Sequence, residues 1–218
     1  MNSRKPLAAF AVGLIAVLAA AAVLAQPAVT PPGPPAGVYH LDPAHASLTF
    51  EVSHMGFSHY TARFTHLDAT LRFDPAHPEA MSVDASIDPV SLALNSPPAG
   101  FHDQLMGPEW FAAARFPQIT FRSTRVRLTG PNTAEVTGDL TLHGVTLPVT
   151  LTATYNGGYA ENSFDPGGAR VGFSAHGSLL RSAFGIAAGI PAPGSTIGVG
   201  DRVDVAIEAE FSAHPPAR

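Results

Sequence analysis

The residues best able to do chemistry in this chain are its histidines and a few serines. Ten histidines are present, and five of them (His40, His45, His54, His59 and His66) fall between positions 40 and 66. A metal centre would need such side chains to converge with acidic or thiolate ligands. No pair shows the i,i+4 spacing with glutamate of a helical zinc site, and the chain has no cysteine. Spread over a strand and a turn, these histidines read as surface or hydrogen-bonded side chains, with metal ligation as the alternative. Gly172-Phe-Ser-Ala-His176 misses the last glycine of a nucleophile elbow and lies in a strand pattern without the helix that motif needs. Asp42, His45 and Ser47 are the residue types of a catalytic triad, but closeness in sequence is not geometry. Gly198-Val-Gly200 lacks the third glycine of a dinucleotide site, and no Walker loop exists.

The chemistry on offer is therefore mostly apolar. Thirteen phenylalanines are present, and Phe50, Phe64, Phe73, Phe121, Phe173 and Phe211 all fall on strand patterns. Such residues pack a core or line a cavity, and periodicity alone does not separate the two.

These residues need a scaffold, and length and composition bound it. The chain has 218 residues, 45% hydrophobic and only 13% charged, with a formal charge of −5. About a quarter of residues are charged in an average soluble domain. The negative balance argues against nucleic acid and anionic membrane surfaces as main partners. The absence of cysteine excludes disulfides, a thiol nucleophile, covalent haem attachment and the lipidated cysteine of a lipoprotein. Arg4 and Lys5 precede an uncharged, Ala-rich run from Pro6 to Ala25. Residues 1–25 read as a secretory signal peptide with Gln26 as the first mature residue; an uncleaved anchor is the alternative. Either way the remainder is placed outside the cytoplasm, in the periplasm or secreted. Without Arg4 and Lys5 the mature chain carries ten basic against 17 acidic residues, a charge of −7. Residues 26–36, with five prolines, read as a spacer that cannot join a core. The folded body is expected over 37–212, and 213–218 as a frayed tail.

Within the body the dominant period is two. Met81–Asp88 and Val203–Phe211 alternate with period two, as do Leu48–Val52 and Leu67–Phe73. Further strands read at 119–128, 135–142, 149–156 and 171–180. Phe64 and Leu67 cannot share one face of a regular strand, which predicts a β-bulge near Thr65. Turns fall at Asp74-Pro75, Gly130-Pro131-Asn132, Asn156-Gly157-Gly158 and 165–168. The tetrapeptide Asp-Pro-Ala-His occurs at 42–45 and 74–77 and reads as a reused turn. Only 100–114 has helical character, broken at Gly107-Pro108. Short antiparallel strands with one covering helix predict an all-β, open-ended barrel.

Several segments together resemble the YceI-like family. They are Leu41-Asp-Pro-Ala-His-Ala-Ser47, Phe50-Glu-Val-Ser-His-Met-Gly-Phe57, Phe73-Asp74, His102-Asp103, Trp110-Phe111 and Phe116-Pro-Gln-Ile-Thr-Phe-Arg-Ser-Thr124. Gly138-Asp-Leu-Thr-Leu-His-Gly-Val145 and Arg181-Ser-Ala-Phe-Gly185 follow in the same order. The resemblance spans roughly 40 to 211. It implies an extended, lipocalin-like antiparallel barrel of eight strands with a short helical segment near one end. It also implies a periplasmic or secreted protein without catalytic activity that binds a polyisoprenoid or quinone-like lipid, and a homodimer is among the states it implies. No metal or other cofactor is implied, and no stable membrane insertion once the leader is gone. Ala183 departs from the pattern, since many relatives carry an acidic residue there. The stretch Gly185–Gly194 departs too, as a Pro- and Gly-rich loop.

On this reading the strands contribute Phe50, Val52, Phe64, Phe73, Phe121 and Phe173 to the lining, and the covering helix contributes Leu105, Trp110 and Phe111. His54 and Arg181, lying in the matching motifs, are the expected polar contacts, each with a structural role as the alternative. A histidine- or metal-dependent envelope enzyme remains a second reading, and a filled barrel serving as a stress-response or adhesion module a third.

Overall fold

The computed structural model describes residues 33–165 and 167–215. The expected leader, the spacer up to residue 32 and the last three residues lie outside the described residues.

Ten strands form one antiparallel sheet that closes on itself. They are β1 (Gly37–His54), β2 (Ser58–Phe64), β3 (Leu67–Phe73), β4 (Ser82–Ile87), β5 (Leu92–Ala93), β6 (Ile119–Leu128), β7 (Thr133–Leu142), β8 (Val145–Tyr159), β9 (Arg170–Leu180) and β10 (Val199–Ser212). The order β1-β3-β4-β6-β7-β8-β9-β10 returns to β1, so eight strands close the barrel, with β2 and β5 added beside β1. Closure removes the unpaired edges an open sheet would expose. One helix, α1 (Phe101–Met106), lies in the long connection between β5 and β6.

Alternation explains the walls. On β10, Val203, Val205, Ile207, Ala209 and Phe211 all face the interior cavity, as the period-two pattern requires. Leu67, Ala69, Leu71 and Phe73 do the same on β3. In place of the β-bulge predicted near Thr65, the structure has a break between β2 and β3. Ser91 holds it: its carbonyl accepts the Thr65 N–H at 3.1 Å, and its Oγ accepts the His66 N–H at 3.0 Å. Phe64 and Leu67 can then both turn inward.

Several sequence-based boundaries need correction. The turn read at Asp42-Pro-Ala-His45 lies inside a strand, as a bulge of β1. Leu41 pairs with Phe211 and Ala46 with Ala209, so residues 42–45 stand against Glu210 alone. The reused turn is nonetheless real. Asp42 Oδ1 accepts the Ala44 N–H at 3.0 Å and Asp42 Oδ2 meets His45 Nδ1 at 2.9 Å. Asp74 does the same with Ala76 at 3.0 Å and His77 at 3.0 Å. Asn156-Gly157-Gly158 is likewise a bulge within β8 rather than a turn, Gly157 taking φ 124°. The helical stretch shrinks to α1, which stops at Gly107 ahead of Pro108. The end of the spacer does join the body: Pro34 is buried and the Pro35 carbonyl accepts the Tyr39 hydroxyl at 2.8 Å. The start of the tail is also held, Ala213 N–H donating to the Ala169 carbonyl at 2.8 Å and His214 N–H to that of Gly167 at 3.0 Å.

Buried side chains form two clusters along the barrel. One gathers Phe64, Ile87, Leu105, Phe121, Leu142 and Phe184 under the helical cap. The other gathers Tyr39, Leu71, Phe73, Val171 and Phe211 toward the opposite end.

Candidate functional site

Between the two clusters runs a cavity of about 1020 Å³. Ligand sites commonly measure roughly 300–1,000 Å³, so this is a large one. All of its strand walls derive from alternation, and each contributes its inward apolar face.

The barrel is hollow. Phe50, Phe111, Phe173, Val205 and Ile207 line the cavity yet keep accessible surface. Inward residues of a filled barrel would be sealed by their neighbours. Small residues open the middle, with Ala85, Ala153, Ala175 and Ala209 on the wall. Gly138 allows the Phe121 ring to lie flat against β7, because a Cβ there would stand 2.4 Å from Phe121 Cζ.

Every sequence-predicted site residue borders this cavity. Phe50, Val52, Phe64 and Phe121 lie toward the cap, Phe73 and Phe173 toward the other end. Leu105, Trp110 and Phe111 close the cap. Phe64 stacks on Phe50 at 5.6 Å and meets Phe111 edge-on at 5.9 Å, joining barrel wall to cap. At the far end Phe73, Tyr155, Phe173 and Phe211 form a run of ring contacts between 5.3 and 6.5 Å.

The two expected polar residues differ in placement. His54 is exposed at the cap end of β1, paired in register with Val199 and Ser58. Arg181 is buried and donates to four carbonyls. Its Nε reaches Gly200 at 2.8 Å, Nη1 reaches Ile186 at 3.1 Å and Ala188 at 2.8 Å, and Nη2 reaches Val199 at 2.8 Å. Its guanidinium also lies 5.2 Å from the Trp110 ring. Burial pulls its pKa below the ordinary arginine value. Arg181 is thus the post around which the loop from Gly185 to Gly198 is wound, the structural role that stood as its alternative.

Tyr60 and Asn95 are among the wall residues that escaped the sequence reading. Tyr60 lines the cavity, and its hydroxyl accepts the Asn95 N–H at 2.9 Å. Asn95 is fixed in turn by its Nδ2 donating to the Thr61 carbonyl at 3.0 Å. The alternation Tyr60, Ala62, Phe64 was the available signal.

Four of the histidines serve as ties. His45 and His77 bond their turn aspartates, His102 meets the Val90 carbonyl at 3.2 Å and His143 that of Phe184 at 3.1 Å. Among the described residues no group of three potential ligands could hold a metal ion. Asp42 is committed to Arg170, Ala44 and His45, and no described hydrogen bond joins His45 to Ser47.

A YceI-like domain model matches residues 39–211, nearly the whole barrel. The chain belongs to the YceI-like family. It is 36% identical over 183 residues to the UPF0312 protein of Pseudomonas savastanoi pv. phaseolicola, covering 84% of this chain and 88% of that one. Among solved structures, the YceI-like barrel is similar to Burkholderia cenocepacia BcnA, with 29% identity, a TM-score of 0.64, and coverage of 78% of this chain and 98% of that one. A polyisoprenoid binding domain from Saccharophagus degradans shares the fold at 16% identity and a TM-score of 0.56, over 80% of this chain and 98% of that one.

Proposed function

We propose that this YceI-like protein is a non-catalytic carrier of an isoprenoid or quinone-like long-chain lipid in the bacterial envelope. The observation that carries the reading is the hollow, apolar interior, which runs from the cap to the Phe73 and Phe173 rings. A flexible apolar chain is the ligand class such a channel suits. Each buried CH₂-sized group is worth about 0.8 kcal/mol, so an isoprene unit contributes roughly 3–4 kcal/mol before costs. Association and chain ordering take back a large share, which favours a ligand of several units. At the cap end, His54 and the Tyr60 hydroxyl can meet a head group. Export by the leader accounts for an envelope location. The fold of the Saccharophagus degradans domain, a polyisoprenoid binder, is compatible with this use of the cavity.

The test is organic extraction of the purified protein followed by mass spectrometry, together with uptake of a prenyl alcohol from detergent. A co-purified prenyl lipid, or saturable uptake at one site per chain, is the expected result. A protein that holds no lipid and takes up none is not a carrier.

A further inference from the structure

Two apolar tips stand at the cap end of the barrel. Phe57 is 87% exposed and Ile197 is 67% exposed. They belong to different loops, and the loops touch. Met55 N–H donates to the Gly198 carbonyl at 2.8 Å, and a Cβ on Gly56 would lie 2.8 Å from the Thr196 Cβ. The hairpin turn is built to hold its place. Met55 and Gly56 take φ of 55° and 72°, the pairing a two-residue turn requires. Phe57 N–H returns to the His54 carbonyl at 3.0 Å. Met55 accepts a left-handed conformation that side chains disfavour, and the result is a phenylalanine presented to solvent.

The loops that carry the tips are uncharged, with His54 and His59 flanking the first. Residues 183–200 contain no acidic, basic or histidine side chain, and neither do residues 55–58. The nearest acid along the chain, Asp201, is occupied by the Ser182 N–H at 2.8 Å and the Ser182 hydroxyl at 2.7 Å. The opposite end of the barrel is charged, with Asp42, Asp165, Arg170 and Glu210 crowded together beside the exposed Phe164. The segments that carry the tips also reach the cavity, since His54 and Val199 line it.

We infer that Phe57 and Ile197 form a docking edge for the surface of a phospholipid bilayer, at the end of the barrel where cargo is exchanged; the exchange role rests on the carrier reading. Apolar loop tips partition into the boundary between head groups and acyl chains. An uncharged margin lets a body of charge −7 approach an anionic leaflet edge-first, with its acidic end turned away. A second copy of the chain fits the tips less well. A phenylalanine side chain offers about 150–250 Å², and two tips fall far short of the roughly 800 Å² per partner of a stable interface.

The test uses residues 31–218, since every strand pairing and both buried clusters fall inside that unit and the leader is then absent. Flotation with vesicles of phosphatidylethanolamine containing a minor fraction of phosphatidylglycerol is compared for the wild type and the Phe57→Asp/Ile197→Asp variant. The expected result is vesicle binding by the wild type, weakened about tenfold or more in the variant. The variant should keep wild-type melting behaviour and wild-type uptake of a prenyl alcohol from detergent, because neither tip lines the cavity. A wild type that stays unbound, or a variant that binds equally well, overturns the docking edge. A dimer that the two substitutions dissociate, without vesicle binding, overturns it in favour of a second copy. Vesicle binding without any prenyl uptake leaves the docking edge standing and removes the carrier reading with its exchange role.

Discussion

Arg170 Nη1 lies 2.7 Å from Asp42 Oδ2 across 128 residues of chain. The same guanidinium places Nε 2.7 Å from Asp165 and Nη1 3.0 Å from Glu210. Asp42 belongs to the bulge of β1, Glu210 is the lone β10 residue opposite that bulge, and Asp165 precedes β9. One cation therefore ties the first strand to the last where the barrel seam closes. Tyr159 completes the group, its hydroxyl donating to Asp165 at 2.6 Å.

This cluster makes the protein acid-sensitive. Hydrogen bonds from Arg170, and then from Tyr159 and the Gly167 N–H, hold Asp165 well below the usual carboxylate range. Burial works against ionisation of Asp42, but Arg170, His45 and the Ala44 N–H outweigh it and lower its pKa. Both folded values lie below the unfolded value of about 3.9. The stability they contribute is therefore complete above that value and is lost as pH falls through the lowered ones. Melting temperature should stay flat through the weakly acidic range and drop steeply below pH of about 4. The Arg170→Met variant should lose about 3 kcal/mol at neutral pH, because three carboxylates are left beside one another without their cation. The Asp42 and Asp165 carboxyls then lose the group that lowers their pKa, so the variant gains stability on mild acidification, where the wild type stays flat. Urea unfolding across pH reads both slopes, and parallel slopes contradict the argument.

A hollow barrel also answers differently from a filled one when its interior is enlarged. Ala175 faces the cavity between Ala153 and Ile207 on the neighbouring strands. The Ala175→Phe ring enters empty space, so stability should change by less than about 1 kcal/mol while prenyl uptake falls about tenfold or more. In a filled interior the same change costs about 1–3 kcal/mol. Urea unfolding and uptake measured on one sample separate the two outcomes.

The barrel was legible in the sequence because period-two alternation is a local signal. Val203 to Phe211 states its inward face without reference to any partner strand. The placement of Asp42–His45 within a strand was not legible, for the complementary reason. Its turn chemistry is local and was recognised, but whether such a turn ends a strand or bulges from it depends on Arg170 and Glu210, which lie far away in sequence. The aromatic lining was legible by face. Whether those faces meet or stand apart depends on strand number and closure, which no single strand encodes. Arg181 was legible as a motif residue, while its four carbonyl partners come from an irregular loop that carries no period at all.

Those four bonds make Arg181 a residue that lysine cannot replace. The fork reaches Gly200, Ile186, Ala188 and Val199 from one planar group, and an ammonium cannot span that spread. Arg181→Lys should cost about 2–4 kcal/mol, since carbonyls lose their donors in a buried setting. Amide hydrogen exchange should quicken across 185–200 and stay slow in β6 to β8. Uniform quickening over the barrel would assign Arg181 to global stability instead.

Trp110 supplies a reporter for the cap. It is the only tryptophan in the chain, so all indole emission arises there. Its ring lines the cavity, stands 5.2 Å from the Arg181 guanidinium, and carries a buried Nε1 with no hydrogen-bond partner. A prenyl chain entering beneath the cap changes the polarity on the open side of the ring, so titration with a prenyl alcohol should shift the emission and saturate. The orphan N–H also sets the mutational response. Leaving such a donor unpaired costs about 1–3 kcal/mol, and Trp110→Phe removes it while giving up part of the ring packing and the cation–π contact. The two effects oppose, so the variant should lie within about 1 kcal/mol of the wild type. Trp110→Ala has no such compensation and should lose about 3–5 kcal/mol. Equal losses in the two variants, measured by urea unfolding, would mean that the indole N–H is paired in solution.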